Sequence, residues 1–273
     1  MSNKKEEIKN FSELNFFQKI FYFIFKFGNF LGTWLGALSF VMIMIFFVAQ
    51  AFVIPSGSMI KTLLIGDHLF VKKYVYGVPT PHIPWLEVPI IPGVGLKLID
   101  GDRPERGDIV TFRKPGAEQM HFVKRCVAVG GDRLFLENKE LYLRPHQGDE
   151  YMFANYPKEK IVEVNGVNWV KNPYRDEFKG IHNDPNITPE LNYPKVIFDY
   201  REIRVPDDHF FMMGDNRDNS SDSRFWGSVP YENIEGTPWF IFLSLDENYS
   251  IRWDRMFKTI DTLEEELRQE NKE

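Results

Sequence analysis

Hydrophobic and polar positions divide this chain into two regimes. From residue 27 to residue 54 there is no charged side chain, and the run ends in Pro55-Ser56-Gly57-Ser58-Met59. About 20 apolar residues cross a bilayer as a helix, so the pattern predicts a transmembrane helix over 27–54. Ahead of it, residues 11–27 are rich in phenylalanine and interrupted by Lys19 and Lys26, which suits an interfacial stretch or a lengthened span. Beyond Ile54 the pattern changes to short apolar runs broken by Gly and Pro, the signature of strands. Such runs lie at 68–75, 108–113, 121–129, 209–213 and 239–243. The expected fold is mostly β: an N-terminal transmembrane helix, then an extracytoplasmic β-rich domain.

The apolar run is too long for a cleavable export signal, whose apolar core is about 7–15 residues, so it reads as a permanent anchor. A buried helix of a soluble protein is the alternative, disfavoured by length. Lys4, Lys5, Lys9, Lys19 and Lys26 precede the run, against Glu6, Glu7 and Glu13. Lysine-rich flanks stay in the cytoplasm. Residues 1–26 are therefore expected inside and everything after the span outside, a single-pass topology in contact with membrane lipid.

Two further segments shape the domain plan. Five prolines at 79, 81, 84, 89 and 92 exclude a central strand or helix interior over 78–98, leaving a covered surface loop or one resting on the membrane. Residues 133–206 are polar, rich in Asn, Tyr and Pro, and separate two motif clusters. They are expected to form an inserted subdomain between catalytic segments 55–132 and 207–245. The remainder, 246–273, reads as a charged, solvated tail because Leu263-Glu264-Glu265-Glu266-Leu267 carries so much charge.

Of the 273 residues, 43% are hydrophobic and 26% charged, ordinary for a folded chain. A net charge of −6 without any basic block argues against nucleic acid as a partner. The single cysteine, Cys126, excludes an intrachain disulfide framework. The six histidines are scattered, Cys126 has no cysteine at zinc spacing, and no Gly-rich phosphate loop occurs, so no metal or other cofactor is expected.

Three segments carry candidate chemistry: PSGSM with TLLIGDHLFVKKYVYG behind it, RGDIVTF with HFVKRCVAVGGD, and GDNRDNSSDSRFWGSVP. Each has a plainer explanation, since Gly-Asp pairs mark turns and Lys124 could be an edge-strand or snorkelling lysine. A calcium loop is excluded by spacing. Counted from Asp215, the third position is Arg217 and the sixth is Ser220 where glycine is required. A serine hydroxyl needs a base to be a nucleophile, and an exposed lysine, with a pKa of about 10.4, cannot be one at neutral pH. The strand around Lys124 offers desolvation, for alternation puts Phe122, Cys126 and Ala128 on its face.

Together and in this order the segments resemble the type I signal peptidases of bacteria, over about residues 50–245. The resemblance implies a serine endopeptidase of the bacterial cytoplasmic membrane that removes signal peptides from exported precursors after small residues, at Ala-x-Ala type sites. It implies Ser58 as nucleophile, Lys124 as general base, and Ser220 as the hydroxyl orienting the lysine. It further implies an oxyanion hole from the Ser56 side chain and the Ser58 backbone N–H, and a supporting pair in Asp222 and Arg224. Phe52, Ile54, Leu63, Phe122 and Val123 fall where the family lines its substrate pockets. Two positions depart from the family pattern: Lys61 stands where proline is usual, and Gly130-Gly131 where Pro-Gly is usual. A proline is accordingly expected to be accepted at 61. Lys61 also completes Ser58-x-x-Lys61, the dyad spacing of penicillin-binding proteins and serine β-lactamases, a rival acyl-transfer reading. A membrane-tethered domain that only binds exported proteins is the non-enzymatic rival.

Overall fold

The computed structural model describes residues 15–44, 49–80, 82–83, 88–89 and 97–270. Residues 1–46 and 47–273 form separate compact units.

The first unit holds two helices, α1 (Phe16–Leu31) and α2 (Trp34–Ile43). Asn15 and Gln18 close a reciprocal capping box at the start of α1. At residues 32–33 the chain bends by 99°. Thr33 fixes the break, its Oγ1 donating to Phe30 O at 2.7 Å and accepting from Gly36 N at 3.0 Å. This supplies a partner to one of the N–H groups that a helix start leaves open. Among the described residues no single helix is long and apolar enough to cross a membrane; α1 and α2 pass that test only as a bent pair. The expected uninterrupted helix over 27–54 is thereby corrected. Helix begins at Phe16, inside the segment assigned to the cytoplasmic N-terminus, and residues 49–53 are a strand. The apolar run had no means of signalling a cap residue within it.

The second unit begins with β1 (Ala49–Val53) and β2 (Asp67–Lys72), an antiparallel pair with Phe52 opposite Leu69. β3 (Gly77–Pro79), β4 (His82–Ile83), β5 (Val88–Pro89) and β6 (Lys97–Asp100) form two small ladders, β3 with β6 and β4 with β5. Most of the proline-rich 78–98 segment lies outside the described residues, and so does any contact it makes with lipid. There follow β7 (Ile109–Lys114), β8 (Ala117–Val129), β9 (Arg133–Glu137), β10 (Glu140–Arg144), α3 (Asp149–Asn155), β11 (Ile161–Val164), β12 (Val167–Lys171) and β13 (Tyr200–Arg204). The chain closes with β14 (His209–Met213), α4 (Ser223–Trp226), β15 (Val229–Pro230), β16 (Ile234–Ser244) and α5 (Ile260–Glu270).

One sheet has the order β1-β2-β16-β7-β8-β14-β15, and the other β11-β12-β10-β9-β13. Among the described residues every strand pair is antiparallel, an arrangement in which a strand can turn one face to a core and the other to solvent. β2 shows it: Asp67, Leu69 and Val71 are buried, while His68, Phe70 and Lys72 are half-exposed. The polar stretch 133–206 supplies the whole second sheet. It was expected as an inserted subdomain, but Leu134, Leu136, Leu141 and Leu143 share a core with Val127, Phe211 and Met213 of the first sheet. The two sheets are therefore one packed body.

The C-terminal segment is not a solvated tail. Ile260 and Leu263, three apart on one face of α5, are buried in the cluster that contains Ile54, Met59, Leu63 and Ile241. Arg255 reaches the buried Asp67 at 2.7 Å. The charges that follow Leu263 hid this packing: Glu265 is exposed, but Glu264 turns inward to Arg125.

Candidate active site

β1 ends at Val53, and the chain turns through Pro55 and an extended Ser56 into a single 3-10 turn, Gly57–Met59, which carries Ser58. Three contacts hold that turn from the 214–216 segment. Asn216 N donates to Ser58 O at 3.1 Å. Asn216 Nδ2 donates to Gly57 O at 3.1 Å, and Asp215 N to Met59 Sδ at 3.4 Å. Met59 itself is almost fully buried, so the turn is anchored by its side chain as well as by its backbone.

Lys124 lies on β8 opposite Val110 and is 2% exposed. Its Nζ is 2.7 Å from Ser58 Oγ and 2.8 Å from Val123 O, and sits 5.3 Å from the centre of the Phe122 ring. Burial lowers its pKa to about 8, although Asp222 and Asp215 pull the other way. The desolvating surface differs in one respect from the alternating-strand expectation. Opposite β14 the register slips between Phe211 and Met212, so Ala128 packs with the second-sheet core while Phe122 and Cys126 share another cluster.

Ser56 Oγ is 3.5 Å from Ser58 Oγ, so both hydroxyls face one space. That space is a cleft of about 430 Å3 lined by Phe52, Ile54, Ser56, Ser58, Phe122, Val123 and Lys124 among others. Leu63, expected in its wall, is instead fully buried in the core with Met59 and does not line the cleft. The two walls are strand edges. Among the described residues β1 pairs only with β2, and β8 pairs with β14 only from Arg125 onward. The backbone of 120–124 has no strand partner on that side among the described residues, and Val123 O accepts from Lys124 Nζ.

Ser220 is buried, beside the Asp222 carboxylate. Its Oγ has no partner at hydrogen-bonding geometry, and the bonds of Lys124 Nζ go to Ser58 and Val123. Asp222 and Arg224 form a two-pronged pair, 2.8 Å for each prong, with side chains 0% and 1% exposed. Burial would raise the Asp222 pKa, but Arg224 and the Gly214 N–H, at 3.1 Å, outweigh it and hold the carboxylate below its usual range. Asp222 also caps α4.

Lys61 is exposed and does not line the cleft. Ile60 is extended and Lys61 has φ of 80°, so Ser58-x-x-Lys61 is not a helical turn that could bring the amine back to the hydroxyl. The left-handed backbone is also closed to proline, whose ring holds φ near −65°. The expectation that proline fits at 61 is corrected on that ground.

Several residues of the site escaped the sequence reading. Arg125, next to Lys124, is fully buried and paired with Asp215, which also accepts from Thr62 Oγ1 at 2.6 Å. Its position beside the lysine and the Gly-Asp of the third motif were the available signals. His121 lines the far end of the cleft, its ring 5.3 Å from that of Phe52 and its Nδ1 2.7 Å from Glu235, which Arg113 holds at 3.0 Å. Nothing in sequence joins His121 to Glu235. Among the described residues no cluster of His, Cys, Asp and Glu could hold a metal.

A hydroxyl in contact with a buried amine, opening on a cleft between two strand edges, is the arrangement that nucleophilic attack on a peptide carbonyl requires. Residues 27–243 match the family described as signal peptidase, peptidase S26. Signal peptidase I of Helicobacter pylori is 42% identical over 282 residues, covering 89% of this chain and 96% of the relative. That of Haemophilus influenzae is 30% identical, covering 85% and 76%, and that of Aquifex aeolicus 31% identical, covering 72% and 77%. The fold and the matches define a serine peptidase, a hydrolase. The chain belongs to the signal peptidase family, peptidase S26.

Proposed function

We propose that this enzyme is a membrane-anchored endopeptidase that removes signal peptides from exported precursors through a Ser58/Lys124 dyad. The observation that carries the reading is the 2.7 Å contact between Lys124 Nζ and Ser58 Oγ, on an amine with only 2% exposure. A precursor strand lies between the edges of β1 and β8, extending the sheet by backbone hydrogen bonds. When Lys124 is neutral, Ser58 donates its proton to Nζ as Oγ attacks the scissile carbonyl. The Ser56 hydroxyl and the Ser58 N–H stabilise the oxyanion; one such donor is typically worth about 2.7–4 kcal/mol. The ammonium returns its proton to the leaving amine, and the mature protein departs. Water, deprotonated by the same amine, then hydrolyses the ester to free Ser58.

Ser220 is assigned the role of positioning hydroxyl for Lys124, a reading supported by its burial beside Gly214 and Ser58 O in the loop that Asp222 and Arg224 hold. Phe52, Ile54, Phe122 and Val123 restrict the cleft to small side chains, which favours Ala-x-Ala sites. The apolar 16–43 region anchors the protein in the bacterial cytoplasmic membrane with its N-terminus inside and the catalytic unit outside, the orientation in which emerging precursors meet the cleft. The Ser58/Lys61 reading finds no support in the backbone around Lys61. Incubating the purified protein with a precursor bearing an Ala-x-Ala site, and weighing the product, tests the proposal. Cleavage after the second Ala is expected, with none from Ser58→Ala or Lys124→Ala. An inert wild type that no active-site serine reagent labels would leave a binding domain instead.

A further inference from the structure

Arg125 is the last residue of β8 that is paired on both sides, with Ile109 and with Met213. One residue earlier, Lys124 has left β14 and forms the wall of the cleft. The Arg125 guanidinium therefore sits where the sheet gives way to the site. Nε and Nη2 bond to the two Asp215 oxygens at 2.8 and 2.7 Å, and Nη1 to Gly107 O at 2.7 Å. Asp215 lies between Gly214 and Asn216, the residues that meet the Ser58 turn, so this fork ties the lysine strand to the serine loop. The remaining Nη2 proton goes to Glu264 Oε1 at 2.5 Å.

Glu264 comes from α5, which Ile260 and Leu263 bury against the domain. The Phe178 ring covers the guanidinium at 3.9 Å. Asp215 and Gly107 O hold the fork on two sides, and Glu264 takes the remaining Nη2 proton, which closes the last direction in which the guanidinium could turn. We propose that Glu264 is a positioning residue for the peptidase reaction, locking Arg125 in the rotamer that holds Lys124 against Ser58. It touches no reacting atom. The inference rests on the Ser58/Lys124 reading above. It also makes α5 part of the catalytic frame, although the helix lies beyond the family match, which ends at residue 243.

Three variants of the full chain separate reach from charge. Glu264→Gln keeps an oxygen at the same distance without charge, Glu264→Asp keeps charge without reach, and Glu264→Ala removes both. Steady-state cleavage of a precursor is measured well below each variant's melting temperature. A kcat loss of roughly 10- to 100-fold is expected for Asp and Ala, with KM within about twofold, because misplacement by about an ångström costs rate and not binding. Gln should recover most of kcat. Wild-type kcat in the Asp variant, Gln as impaired as Ala, or a change confined to KM would each overturn the proposal. If Ala does not fold, the Asp and Gln pair decides alone. Ser58→Ala and Lys124→Ala run beside them: activity in either would remove the dyad itself, a failure distinct from that of Glu264.

Discussion

The carbonyl of Ser58 lies against the Cα of Gly214 so closely that a side chain there would meet it. A Cβ built on Gly214 would be 2.5 Å from Ser58 O and would overlap Ser220 Oγ. Glycine at 214 is therefore required by close approach of two loops, not by a turn, for its φ is ordinary. Gly214→Ala should push the Ser58 turn off Lys124. Overpacking of this kind typically costs about 1–3 kcal/mol, so the melting temperature should fall by several degrees. Cleavage should fall much further, since the displaced atom belongs to the proposed nucleophile. Normal turnover in a folded Gly214→Ala protein would show that the loops tolerate separation.

The buried Lys124 amine sets the expected pH profile. Its folded pKa, about 8, is below the ordinary lysine value, so the neutral base gains population as pH rises through about 8. The kcat/KM for a precursor should climb through that region and then level. Between about 8 and the ordinary value the unfolded chain binds more protons than the folded one, so stability also rises with pH there. In Lys124→Ala that slope should become shallower, the remainder coming from Lys97, which burial lowers to about 7. A flat kcat/KM between pH 6 and 10 would exclude Lys124 as the titrating base.

Lys61 offers a sharp contrast between two substitutions. A non-glycine residue in the left-handed region costs about 1–2 kcal/mol, so Lys61→Gly should keep full activity and gain a little stability. Lys61→Pro should distort the turn and lose activity, because φ of 80° is beyond its ring. Thermal melting with precursor cleavage reads both. An inactive but folded Lys61→Gly enzyme would restore the Ser58-x-x-Lys61 reading.

Asp222→Ala leaves the Arg224 charge buried without its carboxylate and frees the Gly214 N–H. Breaking such a pair costs about 3–5 kcal/mol, a drop on the order of 10 °C in a unit of this size. Replacing both residues, Asp222→Ala with Arg224→Met, should recover part of the loss. Calorimetry distinguishes these outcomes, and an unchanged melting curve for the single variant would mean the pair contributes nothing.

Substrate size follows from the cleft walls. Each extra methylene in an apolar pocket shifts discrimination by about 1–3 kcal/mol. Changing the residue before the scissile bond from Ala to Phe should abolish cleavage at that site. Equal turnover of both precursors, followed by mass spectrometry, would move the pocket elsewhere.

The strand runs around 68–75, 108–113, 121–129, 209–213 and 239–243 were legible as short apolar runs broken by Gly and Pro; burial alternates along β2, whereas β7 and β14 are buried almost throughout. The motifs around Ser58, Lys124 and Ser220 were legible because their chemistry needs particular residue types in a particular order. Neither source of information reaches contacts between distant segments. The kink at Thr33 was invisible because capping uses a small polar residue that an apolar run also tolerates. Leu63 was assigned to the cleft because hydrophobicity does not say which side of a wall a residue occupies. Glu264 looked like solvated charge, and its partner Arg125 is brought to it only by the packing of Ile260 and Leu263. Sequence alone determined which groups could do chemistry, since that depends on the side chains themselves. Only tertiary structure decided which were desolvated, braced and within 3 Å of one another, because burial and distance are properties of the folded chain.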